Sequence, residues 1–304
     1  MKVDFDTAWG GTRPSFFSGQ LHSHVMSETD RLTDVILCPP HYLAPVACCA
    51  VTRHSIKQGF ATCTTEALAQ HEALAALLEE EGVRCHMLRP ASDLPDMCFT
   101  RDVGVATPFG LFALSPALGH RRREVDALLA ACRTWDMPVT RIEQGTIEGG
   151  DICIARDGLL LIGMSGERSS AAGAEEFAAP FRAAGWEVIL CPFHADHLHL
   201  DTIFCMLAQD EAIGCIELLD PAFLDAVRAH GIRILPAPAQ SAFKLGCNIL
   251  ALGDRRIIAS AQDDIVAEIL RVAGYRVRTA DISQFAACGG GVHCLTQPVR
   301  RVAA

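Results

Sequence analysis

Short apolar segments alternate with polar turns along most of this chain, and one order of segments recurs. A polar residue leads into an apolar segment, a turn, and a second apolar segment. A stretch of helical length follows, with apolar residues at intervals of three or four positions, and then a third apolar segment. The pattern predicts a repeated unit of two strands, one helix and a third strand, a ββαβ unit.

The apolar segments place the predicted elements at definite positions. The predicted strands are 35–37, 83–88, 103–106, 111–114, 138–142, 152–155, 159–163, 186–191, 203–207, 213–216, 232–236, 249–252, 257–259 and 275–279. The predicted helices are 65–82, 124–135, 173–184, 221–230 and 263–273.

A polar side chain stands at the start of each unit: Asp102, Asp151, Asp201, Asn248 and Cys294. These positions are separated by 49, 50, 47 and 46 residues. A period of this length is typical of a repeated supersecondary unit. An open parallel sheet would instead place one strand before each helix, and a chance spacing is the remaining alternative.

We therefore predict an α/β fold, a pseudo-symmetric propeller of five ββαβ modules with one central active site. The strand at 35–37 would help to complete a module that is divided between the two ends of the chain. No proline-rich linker divides the sequence, so we expect a single catalytic domain over residues 1–304. Residues 1–34 are a candidate lid or N-terminal extension, and the polar, glycine-containing segment 6–24 is best suited to close over a site.

The composition limits the kinds of molecule that we expect this protein to bind. The 304 residues carry a net charge of −10, which disfavours nucleic acid and anionic membranes but leaves room for a cationic small molecule in a local pocket. No apolar stretch approaches the roughly 18 residues that a membrane span needs. The 14 cysteines include no Cys-x-x-Cys, and residues 1–10 show no signal-peptide pattern. We therefore expect reduced thiols and a cytoplasmic location.

The strongest chemical signal is the glycine segment 289–291, which leads through Val292 to His293 and Cys294. Glycines allow tight turns and close approach of the backbone to a ligand. A cysteine acts as a nucleophile only as the thiolate, which needs a partly open and electropositive setting. Most cysteines are instead small buried hydrophobic residues, so the segment alone leaves both interpretations open.

Two acidic segments stand at earlier strand starts. Asp102 follows Arg101, and the dipeptide is either a surface ion pair or an anionic contact for a cationic substrate. Glu148 and Asp151 are separated by two glycines, which are poor in regular elements. The segment is either a simple acidic turn or a bend that brings both carboxylates to one site.

A histidine-rich segment contains His194, His197, His199 and Asp201. Alternation predicts that the last three lie on one face of a strand. Imidazole nitrogens favour zinc and similar ions, so a metal cluster is one interpretation. The other is acid–base catalysis beside Cys294, since a histidine can activate a thiol and protonate a leaving group.

Four motifs in this order resemble the guanidine-modifying superfamily: Phe-Thr-Arg-Asp at 99–102, Glu-Gly-Gly-Asp at 148–151, His-Leu-Asp at 199–201 and Gly-Gly-Gly-Val-His-Cys at 289–294. That superfamily includes arginine deiminase, agmatine deiminase, dimethylarginine dimethylaminohydrolase and the amidinotransferases. The resemblance covers about residues 95–301. It implies an α/β propeller of five modules, in agreement with the repeat.

The resemblance also implies roles. Cys294 would be the nucleophile that attacks the guanidinium carbon, and His199 the general acid and base. Glu148 would bind the substrate or orient His199, and Asp102 and Asp201 would hold guanidinium nitrogens. A covalent thiouronium would form and then be hydrolysed, without a metal or other cofactor.

Further residues bear on the substrate. Arg121 and Arg168 resemble the arginines that grip the α-carboxylate in arginine deiminase and dimethylargininase, and a guanidinium suits that task. A solvated start of a helix is the alternative for Arg121. Asp96, Phe99 and Asn248 are further candidates for substrate binding, although Asn248 equally suits a structural role at a strand start. If both arginines lie in the site, the substrate is an amino acid rather than agmatine.

The favoured reaction is arginine to citrulline and ammonia. The main rival is hydrolysis of N-methylated arginine, but dimethylargininases typically carry lysine where Asp201 stands. Amidinotransferases usually have asparagine in place of Asp102, which lowers that option, and an arginine-binding protein without catalysis is the non-enzymatic rival. We expect an arginine-like guanidine as the partner, no nucleic acid or membrane, and keep a homodimer as an option.

Overall fold

The structure is a computed structural model, and it describes residues 20–303. Most of the predicted lid, residues 6–24, therefore lies outside the described residues. In the part of the chain that is described, no helix is long and apolar enough to cross a membrane.

Fifteen strands and eight α-helices make up the described chain. The strands are β1 (Arg31–Leu37), β2 (Arg84–Met87), β3 (Gly104–Thr107), β4 (Gly110–Ala113), β5 (Val139–Arg141), β6 (Ile152–Arg156), β7 (Leu159–Met164), β8 (Glu187–Pro192), β9 (Phe204–Ala208), β10 (Glu211–Gly214), β11 (Arg233–Pro236), β12 (Leu250–Gly253), β13 (Arg256–Ser260), β14 (Arg276–Ala280) and β15 (Gln297–Val302). The helices are α1 (Ala50–Lys57), α2 (Thr64–Glu80), α3 (Arg122–Thr134), α4 (Ala171–Ala183), α5 (Pro221–Ala229), α6 (Gln240–Phe243), α7 (Asp264–Val272) and α8 (Ser283–Ala287).

The strands form five three-stranded sheets with one common plan. In each sheet an antiparallel pair is followed by a third strand parallel to the central one, as in β3-β4-β5, β6-β7-β8, β9-β10-β11 and β12-β13-β14. A helix connects the central strand to the parallel one, because a parallel connection needs a crossover. The predicted ββαβ unit is therefore confirmed in a mixed α/β fold.

The fifth sheet joins the two ends of the described chain. Its order is β15-β1-β2, with β1 antiparallel to β15 and parallel to β2. The predicted strand at 35–37 is thus the end of a longer central strand. Helix α2 supplies the crossover from β1 to β2, so this sheet follows the same ββαβ plan.

The helices bury one apolar face each against the sheets. In α4 the buried residues are Gly173, Ala174, Phe177, Ala178 and Phe181. Their spacing of three and four positions puts them on one face. Burial of apolar area, at about 25 cal/mol per Å², is the main stabilising term for these helix–sheet contacts.

Short 3₁₀ turns precede three of the sheets and set the polar residues at strand starts. They span Thr100–Val103, Gly149–Asp151 and Leu200–Thr202, directly before β3, β6 and β9. The 3₁₀ turns before β3 and β6 contact each other, as do those before β6 and β9. The polar residues that they carry are thereby brought close together.

The prediction that His197, His199 and Asp201 alternate along one strand is wrong. A γ-turn centred on Leu198, with φ 59° and ψ −72°, separates the first two. The His199 N–H donates to the His197 carbonyl at 2.7 Å, which closes this turn. Such a turn is rare and strained, and it turns His199 away from the course that an extended strand would give it.

Candidate active site

A small cavity lies beside the glycine segment 289–291. The predicted site residues in its wall are Cys294, His199, Asp102, Arg121, Arg168, Asp96 and Phe99. The other predicted residues contact these by hydrogen bonds, and they are Glu148, Asp201 and Asn248. The structure thus brings all the predicted site residues together, and all of them are buried.

Cys294 lies at the end of the glycine segment. Its Sγ accepts a hydrogen bond from Asn248 Nδ2 at 3.2 Å and lies 3.6 Å from Asp201 Oδ2. Burial raises the pKa of this thiol well above its ordinary value, and the charges of Asp201 and Asp102 raise it further. The resting side chain is therefore a neutral thiol, and a cation beside it would favour the thiolate.

The Asn248 side chain also fixes the backbone that carries the nucleophile. Its Oδ1 accepts hydrogen bonds from the N–H of His293 at 2.9 Å and of Cys294 at 3.2 Å. A Cβ added to Gly291 would lie 2.3 Å from the same Oδ1, so only glycine allows this approach. Asn248 therefore contacts both the sulfur of Cys294 and the backbone N–H groups of residues 293 and 294.

His199 and Glu148 form a buried pair. His199 Nε2 lies 2.7 Å from Glu148 Oε2, and His199 Nδ1 lies 3.6 Å from Asp102 Oδ1. Burial opposes the charged imidazole, but the charge of Asp102 and the hydrogen bond with Glu148 raise the pKa of His199 to about 10. Burial also opposes the Glu148 carboxylate, yet His199 and Arg168 lower its pKa to about 2. At neutral pH the pair is an imidazolium and a carboxylate.

The Glu-Gly-Gly-Asp segment at 148–151 packs against the His199 ring and anchors the turn that follows it. A Cβ on Gly150 would lie 2.6 Å from His199 Nδ1, so glycine leaves room for the ring. Asp151 Oδ1 accepts from the Leu200 N–H at 2.9 Å, and its Oδ2 accepts from the Ser169 hydroxyl at 2.6 Å. Burial raises the pKa of Asp151 to about 7. Asp151 therefore anchors the turn after His199, whereas Glu148 meets the ring.

One carboxylate oxygen of Asp102 accepts a hydrogen bond from Arg121, and the other accepts no hydrogen bond. Its Oδ2 accepts from Arg121 Nη1, and its buried Oδ1 has no hydrogen bond. Arg121 also donates to Glu124 Oε2 from Nε at 3.0 Å and from Nη2 at 2.8 Å, and to the Phe99 carbonyl at 3.0 Å. The alternative of a solvated Arg121 is wrong, because burial and carboxylate partners fix it in the cavity wall.

The other predicted substrate contacts surround the same space. Arg168 donates from Nη1 to Glu148 Oε2 at 3.2 Å and from Nη2 to the Cys48 carbonyl at 2.9 Å. Asp96 Oδ2 lies 2.7 Å from His120 Nε2. The cavity wall therefore carries both guanidinium groups and a carboxylate, as recognition of an amino acid's own carboxylate and ammonium groups requires.

Sequence reasoning missed three contributors to the site. Glu124 holds Arg121 in place, and the spacing of three positions inside a helix start was a usable signal. Leu198 lines the cavity at the centre of the γ-turn, which no residue pattern indicated. Glu28 meets His293 across 265 positions, and such a long-range pair has no local signal.

Among the described residues, the atoms that could hold a metal include only His199 of the predicted histidine cluster. Among the described residues, Asp102, Glu148 and His199 place one ligand atom each within 4.8 Å of one another. His194 is largely exposed on a 3₁₀ turn, 3.4 Å from Asp196, and lies outside that group. Arg121 and Arg168 already neutralise the two carboxylates, so these atoms suit a network of ion pairs without a metal.

The fold contains five ββαβ units. Its site contains a buried cysteine beside carboxylates, a histidine–glutamate pair and two arginines. This combination is characteristic of the guanidine-modifying enzymes. The family model described as "N,N dimethylarginine dimethylhydrolase, eukaryotic" matches residues 47–301. The chain belongs to this family of guanidino-group hydrolases. The predicted superfamily and the predicted enzyme class, a hydrolase of guanidino C–N bonds, are therefore confirmed.

Individual relatives agree with this assignment. The N(G),N(G)-dimethylarginine dimethylaminohydrolase of Streptomyces coelicolor is 30% identical over 78% of this chain and 87% of its own length. The protein YkgA of Bacillus subtilis is 28% identical over 90% of this chain and 94% of its own length. The N-terminal domain of the cyanobacterial arginine dihydrolase ArgZ, solved with a covalently bound reaction intermediate, has a TM-score of 0.78. That likeness covers 88% of this chain and 98% of that domain at 22% identity, and it supports the fold.

Proposed function

We propose that this enzyme hydrolyses the guanidino group of arginine through a covalent thiouronium on Cys294, releasing citrulline and ammonia. The observation that carries the proposal is the arrangement around the sulfur. A buried thiol lies 3.6 Å from Asp201, and its pKa is raised by the charges of Asp201 and Asp102. A guanidinium is a cation that these two carboxylates can hold, and its charge would offset theirs at the thiol.

Unpartnered polar atoms support an unmethylated substrate. Asp102 Oδ1 and Asp201 Oδ1 are buried and have no hydrogen-bond partner. Buried acceptors without donors are costly, and a guanidinium presents several N–H groups in one plane. Two methyl groups on one nitrogen would remove both N–H groups of that nitrogen. Arginine therefore satisfies these carboxylates more fully than dimethylarginine does.

The chemistry follows in two halves. Binding of the cation lowers the pKa of Cys294, the thiol gives its proton to water, and the thiolate Sγ attacks the guanidinium carbon. His199, held as the imidazolium by Glu148, gives a proton to the departing nitrogen, and ammonia leaves. The neutral imidazole then takes a proton from water, which attacks the thiouronium carbon. The C–S bond breaks, and citrulline is released.

The remaining residues would bind the amino-acid part of the substrate. Arg121 and Arg168 would attract the α-carboxylate, and Asp96 the ammonium group. Most of the N–H groups of Arg121 are bonded within the protein, so Arg168 would make the more direct contact. Phe99 would pack against the aliphatic part, and Asn248 would stabilise the thiolate through its 3.2 Å contact.

Hydrolysis of N-methylated arginine is the second candidate. The family model and the Streptomyces coelicolor relative favour it, since both carry that activity in their names. The presence of Asp201 at the thiol argues for unmethylated arginine. An amidinotransferase would pass the amidino group to an amine in place of water, and an added amine acceptor separates the two outcomes.

At the level of architecture, we propose that the five sheets form a pseudo-symmetric ring in one catalytic domain. Contacts between β15 and β3, β6 and β9, β9 and β12, and β12 and β1 support this arrangement. The homodimer and the cytoplasmic location stay predictions.

Product analysis with L-arginine, dimethylarginine and agmatine in parallel tests the proposal, with Cys294→Ser as the control. Citrulline and ammonia from arginine, absent in Cys294→Ser, are expected. Dimethylamine from dimethylarginine in place of ammonia would establish the second candidate. Turnover of agmatine alone would overturn the roles of Arg121 and Arg168, and turnover of none of the three would overturn the proposed substrate class.

A further inference from the structure

The imidazole of His293 is placed between two buried carboxylates. Nδ1 lies 2.9 Å from Asp201 Oδ2, and Nε2 lies 3.5 Å from Glu28 Oε2. His293 is 6% exposed, so water does not compete for these contacts. A neutral imidazole has one N–H and can donate to one carboxylate, whereas the imidazolium donates to both. Each ring nitrogen of His293 therefore faces a carboxylate oxygen.

The outer carboxylate is anchored. Glu28 is paired with Arg101, which also donates from Nε to the Gly149 carbonyl at 3.3 Å and from Nη2 to the Ile152 carbonyl at 3.2 Å. Burial opposes the Glu28 carboxylate, but Arg101 and His293 hold its pKa well below the ordinary value. The group beyond His293 is thus a fixed anion tied to the start of β6.

The inner carboxylate, Asp201, meets the reactive sulfur through the same oxygen that meets His293. Its Oδ2 lies 2.9 Å from His293 Nδ1 and 3.6 Å from Cys294 Sγ, and its Oδ1 has no partner. Burial would favour the neutral acid, and the hydrogen bond from His293 is the main effect that lowers the pKa of Asp201. The imidazole therefore acts on both the charge and the orientation of this carboxylate.

We propose that His293 is a positioning residue for guanidine hydrolysis: it holds Asp201 as an oriented carboxylate, with Oδ2 at Cys294 and Oδ1 left for a guanidinium N–H. It acts through Asp201 and does not touch the substrate. The inference rests on the proposed function, because it assigns His293 a part in binding the substrate cation. Several charged and titratable groups face the pair formed by His293 and Asp201. They are Glu28, Arg101, Arg301, His199, Cys294, Cys153 and Cys205.

The test measures kcat and KM for L-arginine against pH in the full-length protein. In His293→Ala we expect KM to rise about 10-fold or more, the loss typical of one charged hydrogen bond, and kcat to fall less. The acid limb of kcat/KM should move to higher pH, because Asp201 then takes up a proton at higher pH. His293→Asn keeps a neutral N–H near Asp201, so its KM should lie between that of His293→Ala and that of the wild type.

Two further variants separate positioning from stability. Glu28→Gln removes the anchor without touching Asp201, and it should shift the acid limb in the same direction by a smaller amount. If His293→Ala does not fold, the shift of the acid limb can be measured in Glu28→Gln instead. His86→Gln is the matched control, because His86 is another buried histidine, 3.0 Å from Asp34 and outside the cavity. It should change the unfolding midpoint and leave the acid limb in place.

An unchanged acid limb and KM in folded His293→Ala would overturn the inference, as would an equal fall in kcat at every pH. A readout that needs no turnover separates this failure from failure of the proposed function. NMR of the resting protein should show two ring N–H signals that vanish in His293→Asn, one of which shifts in Asp201→Asn. A single ring N–H, insensitive to Asp201→Asn, would overturn the inference whether or not arginine is a substrate.

Discussion

The protonation states of individual side chains in this site depend on the charges of their neighbours. Cys294 is held neutral by two carboxylates, whereas His199 is held charged by Glu148 and Asp102. In each case burial acts against the charged form; at Cys294 the neighbouring carboxylates reinforce this effect, and at His199 they overcome it. The proposed acid is thus charged, and the proposed nucleophile is neutral, before substrate arrives.

Replacing Glu148 by Gln tests the charge on His199. The pKa of His199 should fall from about 10, so the basic limb of kcat should move to lower pH and kcat should drop by about 10²-fold. Because the folded-state pKa is raised, the pair stabilises the fold fully below the unfolded-state value of 6.5 and loses that effect as pH rises through about 10. The difference in urea stability between the wild type and Glu148→Gln should therefore become smaller as pH rises through about 10.

The control for Glu148→Gln is Glu175→Gln, which removes a carboxylate from an exposed pair with Arg182. This control should leave both the rate profile and the unfolding curve in place. A basic limb unchanged in Glu148→Gln would contradict the role given to the pair.

Replacing Asn248 by Asp tests the contact with sulfur. The variant keeps the oxygen that accepts from the backbone of residues 293 and 294 but exchanges the N–H donor at Cys294 for an anion. Iodoacetamide should alkylate Cys294 about 10-fold more slowly at neutral pH, since the thiolate loses a donor. The exposed Cys63 in the same sample serves as the internal reference. Equal alkylation rates in both proteins would show that Asn248 is structural only.

Much of this site was predictable at the level of single residues, because each motif stands at a strand start and the repeat brings strand starts together. The positions of Arg121 and Arg168 in the cavity wall were predicted, but their ion pairs with Glu124 and Glu148 were not. His293 and Glu28 could not be paired from the sequence. A contact that depends on the closed arrangement of distant strands leaves no pattern in either local segment.

At the scale of elements, the alternation of apolar and polar positions located β2 to β14 and the long helices to within a few residues, but it found only the end of β1 and missed β15 (Gln297–Val302). The predicted helix 124–135 is α3 (Arg122–Thr134), and the predicted strand 152–155 is β6 (Ile152–Arg156). The short helices α1, α6 and α8 were missed, because one or two turns carry too few residues to show a period. The prediction of a strand at 197–201 was wrong. A γ-turn and hydrogen bonds to Asp151 and His197 determine the backbone there, although the residues alternate as in a strand.

The loop between α8 and the nucleophile should tolerate no side chain at Gly291. Gly291→Ala would press a Cβ onto Asn248 Oδ1, and overpacking of this kind costs about 1–3 kcal/mol of the free energy of unfolding. Gly119→Ala is the matched control, because a Cβ there meets no atom within 4 Å, and its effect should stay within about 0.5 kcal/mol. Urea denaturation measures both, and equal stabilities would contradict the close approach.

The whole molecule depends on the sheet that joins β15 to β1. Strand β15 pairs with β1 along most of its length and also contacts β3 of the neighbouring sheet. Arg301 adds hydrogen bonds from Nη1 to the carbonyls of Asp30 at 2.7 Å and Ala251 at 2.8 Å. This strand therefore holds together three sheets that are distant in sequence.

Deleting residues 297–304 should abolish cooperative thermal unfolding, because it leaves β1 unpaired and uncovers apolar residues of the core. Deleting only residues 303–304, beyond the strand, is the control and should leave the unfolding midpoint unchanged. Circular dichroism through a temperature ramp distinguishes the two. A sharp transition in the longer deletion would show that the remaining sheets are stable without the closing strand.

The pairing of β1 with β15 also has a consequence during translation. Strand β1 is synthesised early, yet its antiparallel partner leaves the ribosome some 260 residues later. The nascent chain must therefore keep an apolar edge unpaired through most of its synthesis, and contacts of such long sequence separation form slowly. Cys294 is itself made just before β15, so a chain interrupted before residue 294 lacks the proposed nucleophile. Unfinished chains are consequently incapable of the reaction proposed for the complete fold.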